Sequence, residues 1–255
     1  MKRIIVAGVT GWVGKPLAEA IGNASDLELV GAVARGARGE KVGGVTIVGS
    51  VAEALAIPAD VLVDYTSAAA VKSHVLAAIA ARVHVVIGSS GLTQEDFHQI
   101  DKAARAAGVG VIAVGNFAIS AALLQRFAVE AAKHFPTWEI IDSAYAGKMD
   151  APSGTARELA WRMSEVRTPS LEVPIDETVG QKDARGADTN GSRVHSLRLP
   201  GYTIGVEVRF GLADERLTLH YDGGPGATPY IGGTLLAIRR VHELTGLVRG
   251  LDRLL

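Results

Sequence analysis

Cysteine is missing from all 255 residues, which excludes disulfides, thiolate nucleophiles and Cys-ligated zinc or iron–sulfur centres. Neither sign of charge is in excess: 26 Lys plus Arg face 27 Asp plus Glu, a formal net charge of −1. Proteins built on phosphate-backbone contacts carry a basic excess or stripe, so nucleic acid is not expected as a partner. No apolar run approaches the ~20 residues of a bilayer span. The opening MKRIIVAGVTG runs into glycine before a secretory apolar region can form. The expectation is a cytoplasmic chain without a membrane partner. The seven histidines (His74, His84, His98, His134, His195, His220 and His242) are scattered and include no H-E-x-x-H, so no metal site is expected. Repeats, low-complexity tracts and sustained heptads are missing too.

What is present is apolar and rich in turns. Hydrophobic residues make up 48% and charged residues 21%, enough for a packed core, and 30 glycines cluster between the apolar runs. The length allows one large domain or two smaller ones. In the first half, β-branched runs at residues 3–7 (RIIVA), 27–34, 61–65, 83–88 and 110–114 predict buried strands. Helical segments at 15–22, 71–81 and 93–108 alternate with them, the last opening on a Thr-Gln-Glu-Asp cap. Such alternation means βαβ units and a parallel sheet.

The texture changes after about residue 116. Residues 121–134 predict a long amphipathic helix, 138–143 a strand, 153–163 a helix and 167–193 a polar loop. Period-two alternation at 194–199, 204–211 and 216–221 predicts an antiparallel sheet, and 230–245 a closing helix. The expected fold is α/β. A Rossmann-type doubly wound parallel sheet spans residues 1–117. A second, smaller α+β domain with a mixed or antiparallel sheet spans 118–229, and a C-terminal helix in 230–255 packs back on the first.

Gly8-Val9-Thr10-Gly11-Trp12-Val13-Gly14 sits between the first strand and the first helix. There a dinucleotide pyrophosphate rests on a helix N-terminus, and glycines allow the tight turn and close approach. Gly8, Thr10, Gly11, Trp12 and Val13 are therefore candidate cofactor contacts. The alternative is a structural turn that binds nothing. After the second strand comes Ala34-Arg35-Gly36-Ala37-Arg38, with no acid for a ribose 2′-hydroxyl. Arg35 and Arg38 favour a 2′-phosphate, hence NADPH, with NADH still possible, unless both are simply solvated.

Asp64-Tyr65-Thr66, Gly88-Ser89-Ser90-Gly91 and Gly115-Asn116-Phe117, each after a strand, resemble the cofactor-side loops of the 4-hydroxy-tetrahydrodipicolinate (dihydrodipicolinate) reductase family. Lys148-Met149-Asp150-Ala151-Pro152-Ser153-Gly154-Thr155-Ala156 is similar to that family's K-x-D-A-P-S-G-T-A signature. The resemblance covers essentially the whole chain. It implies an NADPH-dependent reductase of a cyclic imine-like substrate, assembled as a homotetramer or dimer through the second domain's sheet. It further implies Tyr65, Thr66, Gly88, Ser90, Asn116 and Phe117 at the cofactor, and Ser153, Gly154 and Thr155 at a substrate carboxylate. Lys148 would then serve in binding and protonation.

Physical chemistry supports the cradle independently. A helix opening on Pro152-Ser153-Gly154-Thr155 offers free N–H groups and two hydroxyls to an anion, although plain N-capping also explains Ser153 and Thr155. Lys148 stands close enough in sequence to add charge or a proton, or to form a surface pair with Asp150.

The sequence departs from the family on the substrate side. The family's E-x-H-H-x-x-K reads Asp142-Ser143-Ala144-Tyr145-Ala146-Gly147-Lys148, so Ala144 and Tyr145 take the two histidine places. G-x-x-G-E-H becomes Gly201-Tyr202-Thr203-Ile204-Gly205-Val206-Glu207, and the later basic stretch becomes His220-Tyr221-Asp222-Gly223-Gly224-Pro225-Gly226. Altered specificity follows as an expectation: a hydrophobic or monoacidic cyclic imine, with Tyr145, Trp138 and Tyr202 lining a less charged pocket. The proton would come from Tyr145 or Lys148, or from a water that either places. Two other readings compete. One is a non-catalytic NADP(H) sensor. The other is a short-chain dehydrogenase, whose Tyr-x-x-x-Lys spacing is not met by Tyr145 and Lys148.

Overall fold

Short runs of valine and isoleucine form a parallel sheet whose middle strands are buried on both faces. The computed structural model describes all 255 residues and divides them into two units, Met1–Ile119 with Gly226–Leu255, and Ser120–Pro225. The first unit begins β1 (Lys2–Ala7), α1 (Gly14–Gly22), β2 (Leu27–Val33), β3 (Lys41–Val42), β4 (Val45–Val48) and α2 (Val51–Ala54). It continues β5 (Val61–Asp64), α3 (Val71–Ala80), β6 (His84–Ile87), α4 (Gln94–Ala107) and β7 (Gly110–Ala113).

These strands lie in the order β7-β6-β5-β1-β2-β4-β3. All pairs are parallel except the β3–β4 hairpin at the edge. The chain winds outward from β1 in both directions, which opens a crevice at the carboxyl ends of β1 and β5, where such sheets hold ligands. Ile4, Ile5, Leu62, Val85 and Val111 are fully buried in this sheet. Helix α4 shows how local sequence sets an element. Thr93 Oγ1 accepts from the Asp96 N–H while the Asp96 carboxylate accepts from the Thr93 N–H, and Gly108 ends the helix at φ +68°.

The second unit contains most of α5 (Ile119–Ala132), then β8 (Thr137–Ala144), α6 (Gly154–Ser164), β9 (Ala187–Thr189), β10 (Ser192–Arg198), β11 (Ile204–Gly211) and β12 (Arg216–Gly223). The sheet order is β12-β11-β8-β10-β9. β11 runs antiparallel to β8 and β12, but β10 runs parallel to β8. Alternation in 194–199 reports a half-buried strand and says nothing of its direction, so within the expected mixed or antiparallel sheet the antiparallel reading of these residues is corrected to a strand parallel to β8. The predicted loop 167–193 is corrected too: it contains β9, paired with β10, and two short 3₁₀ turns. Trp138, expected in a substrate pocket, is 3% exposed in the core. Its ring meets Phe210, and its indole N–H donates to Ser192 Oγ at 2.9 Å.

The chain then returns to the first unit as α7 (Thr228–Arg240) and β13 (Gly246–Arg249). The single helix predicted over 230–245 stops early. Gly246, at φ +87°, turns the chain, and Gly246–Arg249 adds a parallel strand beside β7. A four-residue Gly-Leu-Val-Arg strand carries too little periodicity to be read in advance. No helix is long and apolar enough to cross a membrane.

Candidate active site

In the first unit the glycine loop is shaped by its missing side chains. Gly8 has φ +84°, and a Cβ there would stand 2.2 Å from the Tyr65 carbonyl oxygen. A Cβ at Gly14 would stand 2.0 Å from the Gly8 carbonyl oxygen. Gly11 N–H closes the turn onto Gly8 O at 2.9 Å, whereas the N–H groups of Thr10, Trp12 and Val13 find no backbone acceptor. Unpaired N–H groups running into the start of α1 form an anion-binding concavity. The Trp12 ring, 57% exposed, meets Tyr230 edge-on at 5.4 Å.

After β2 the two candidate arginines differ. Arg38 donates to Glu53 Oε2 at 3.1 Å. Arg35 is exposed and has no ion-pair partner, so it is the arginine free to meet a 2′-phosphate. Glycine loop, free N–H groups and Arg35 together suit a phosphorylated dinucleotide.

The loops after β5 and β6 are tied together by Asp64, which is 0% exposed. Its Oδ1 accepts from Thr66 N–H (3.0 Å), Thr66 Oγ1 (2.8 Å) and Ser89 Oγ (2.6 Å), and its Oδ2 lies 2.8 Å from His74 Nδ1. Ser89, which sequence reasoning passed over for Ser90, is thus the serine that fixes this corner. Tyr65 Oη is 2.7 Å from Thr234 Oγ1, and burial pushes its pKa above the usual phenol value despite that bond, so it stays neutral. Gly88 is obligatory, since a Cβ would meet the Tyr65 ring at 2.1 Å. Phe117 is 2% exposed against Tyr65, and Asn116 Oδ1 accepts from Ala118 N–H at 2.9 Å. The Phe117 ring is therefore core, and only its backbone can meet a ligand.

In the second unit, residues 145–153 link β8 to α6. Ser153 is the N-cap, with its Oγ accepting from Ala156 N–H at 3.3 Å and its own N–H donating to Asp142 Oδ2 at 2.8 Å. The N–H groups of Gly154 and Thr155 have no backbone acceptor and are the free donors of the cradle. Ser153 and Thr155 are buried, at 1% and 3% exposed. Lys148 Nζ pairs with Asp150 Oδ1 at 2.7 Å. Burial of Asp150 opposes ionisation, yet the Lys148 bond and the nearby Arg157 charge hold its carboxyl below the usual range. Tyr145, 51% exposed, stands at the start of the loop, and Tyr202 is 41% exposed. Glu207 lies on the sheet between Arg209 and His220, as a sheet-face ion pair.

Two features escaped the sequence. Arg198 Nη2 donates to Asp142 Oδ2 at 2.8 Å and to the Asp150 carbonyl at 2.7 Å, fastening β10 to β8 and to the loop. Arg157, in the first turn of α6, reaches back over the same loop. Arg157 lay within reach of i, i+3 reasoning from Gly154, whereas the Arg198–Asp142 contact depends on the parallel register of β10 on β8.

Comparison with known proteins settles the family. The model "Dihydrodipicolinate reductase, N-terminus" matches residues 2–117, and "Dihydrodipicolinate reductase, C-terminus" matches residues 120–255. The chain belongs to the dihydrodipicolinate reductase family. It is 37% identical over 263 residues to a 4-hydroxy-tetrahydrodipicolinate reductase of Desulfitobacterium hafniense, covering 99% of this chain and 98% of that one. Against the enzyme of the same name from Streptococcus pneumoniae it is 36% identical over 253 residues, covering 99% of both. The structure of dipicolinate-bound dihydrodipicolinate reductase from Paenisporosarcina sp. TG-14 matches with a TM-score of 0.86, 31% identity and full coverage of both chains. An amine dehydrogenase from Mycobacterium smegmatis, 16% identical with a TM-score of 0.67, shares the fold. This reductase is thus an NAD(P)H-dependent oxidoreductase.

Proposed function

We propose that this reductase reduces the C=N bond of a cyclic imine carrying a carboxylate, with NADPH as the preferred cofactor and a substrate choice that differs from its named relatives. The observation that carries the reading is the second unit's loop and the helix start that follows it, which carry Lys148, the free N–H groups of Gly154 and Thr155, and Tyr145 in a histidine place. The nicotinamide supplies hydride when bound. The chain's own residues do the rest. The N-terminus of α6 and Lys148 hold the carboxylate and so orient the imine, since both favour negative charge. Lys148 carries a proton for the ring nitrogen, and Tyr145, or a water on its hydroxyl, is the second donor. In the first unit Gly8, Thr10, Gly11, Trp12 and Val13 shape the pyrophosphate seat and Arg35 meets the 2′-phosphate, with Arg38 held back by Glu53. The backbone of Thr66, Gly88, Ser90, Asn116 and Phe117 borders the nicotinamide end. Assembly as a homo-oligomer through the second unit's sheet, and action in the cytoplasm, belong to the same proposal.

The test follows NADPH absorbance with 4-hydroxy-tetrahydrodipicolinate, with a cyclic imine bearing one carboxylate, and with one bearing none. The expected order of kcat/KM puts the monocarboxylate imine first. Turnover of the dicarboxylate alone would refute altered specificity, and no turnover of any imine would refute imine reduction.

A further inference from the structure

The Lys148–Asp150 pair is not isolated. Arg157 Nη2 lies 3.9 Å from Asp150 Oδ2, and its Nη1 donates to the Pro152 carbonyl. That carbonyl anchors the guanidinium above the N-terminus of α6, where a Cβ on Gly154 would stand 3.9 Å from Nη2. A separation of 3.9 Å exceeds hydrogen-bond distance, so the fork is aimed at the acid without being saturated by it. Its side chain is 51% exposed, whereas Lys148 is 23% exposed. Two cations therefore share one carboxylate, leaving a net positive charge beside the free N–H groups of Gly154 and Thr155. A guanidinium pairs with a carboxylate through two parallel bonds, a geometry that an ammonium or imidazole cannot supply.

We infer that Arg157 is a specificity-determining residue: with Lys148 it grips the carboxylate of the imine substrate, and Asp150 is the internal carboxylate that keeps both cations aimed at the cradle when no substrate is present. This rests on the reading given under Proposed function. It restores, from the first turn of α6, a cationic contact that Ala144 and Tyr145 cannot make.

The test compares wild type with Arg157→Gln and Arg157→Lys. Two quantities are measured: calorimetric affinity for dipicolinate, a stable aromatic dicarboxylate, and steady-state kinetics with the carboxylate-bearing imine. Arg157→Gln is expected to weaken dipicolinate about tenfold and to raise KM by a similar factor, with the loss falling on KM far more than on kcat. Arg157→Lys is expected to recover only part of it, because charge returns without the fork. Thermal unfolding of both variants separates misfolding from lost binding. Wild-type binding and turnover matched by Arg157→Gln would overturn the role of Arg157 and leave the reductase reading standing. A wild type that neither binds dipicolinate nor oxidises NADPH with any carboxylated imine would overturn both.

Discussion

Replacing Arg198 by methionine tests whether the loop between β8 and α6 is held from below by a buried charge pair. The guanidinium reaches Asp142 Oδ2 at 2.8 Å, with side-chain exposures of 15% for Arg198 and 0% for Asp142. Without it, that oxygen keeps only two neutral donors, Ser153 N–H at 2.8 Å and Ser196 Oγ at 3.0 Å. Asp142 Oδ1 already has no partner in the interior. Removing one member of a buried pair costs about 3–5 kcal/mol, because the remaining charge is stranded away from water. The partial exposure of Arg198 places the loss near the lower end, about 3 kcal/mol. Pairing Arg198→Met with Asp142→Asn removes the stranded charge, so the double variant should recover about 2 kcal/mol relative to the sum of the singles. Guanidinium chloride unfolding is followed by tryptophan fluorescence in a Trp12→Phe background, so that the signal comes from Trp138 and Trp161 of the second unit. A loss below about 1 kcal/mol for Arg198→Met, or strictly additive singles, would refute the buried-pair argument.

Gly8→Ala forces a Cβ to 2.2 Å from a backbone oxygen at φ +84° and should abolish NADPH binding. Gly36→Ala, which meets nothing within 4 Å, should bind normally, and fluorescence of bound NADPH compares the two. Arg35→Ala should weaken NADPH about tenfold while sparing NADH, and Arg38→Ala should do less because Glu53 already holds Arg38. The Asp96 carboxyl is held at about 2, chiefly by Lys72 and then by its Thr93 bonds, against an ordinary 3.8. A depressed folded-state pKa stabilises above the ordinary value and stops doing so as pH falls through it toward about 2. Amide protection in the first turn of α4, measured against the intrinsic exchange rate at each pH, should therefore fall over that window, and Asp96→Asn should flatten the dependence.

Local signals were readable where one residue type has one physical use. Thr93, Asp96 and Gly108 bound α4 because a hydroxyl, a carboxylate and a left-handed glycine each satisfy groups that a helix end leaves open. The valine and isoleucine runs of β1, β5, β6 and β7 revealed the parallel sheet because strands covered on both faces tolerate little else. Pairing partners were less legible. Alternation in β10 is the same for either neighbour direction, and β13 is four residues in which one glycine and one arginine dilute the pattern. The loop motif drew attention to Lys148, Ser153, Gly154 and Thr155, but Arg198 meets Asp142 only through the register of two parallel strands. Trp138 shows the opposite error: an aromatic near a motif suggests a pocket wall, and Phe210 claims its ring for the core.

Strand β13 has a consequence for how the molecule is made. Ser120–Pro225 is contiguous in the chain and contains all five strands of its own sheet, so the second unit can be completed without β13. The first unit cannot: its sheet stays open along β7 until Gly246–Arg249 has paired with it. During that interval β7 presents an unpaired, apolar edge, the kind of surface on which neighbouring nascent chains adhere. Deleting Gly246–Arg249 should therefore leave a chain with a finished second unit and an adhesive first one, so that the yield of folded protein hinges on four residues assigned to neither candidate site.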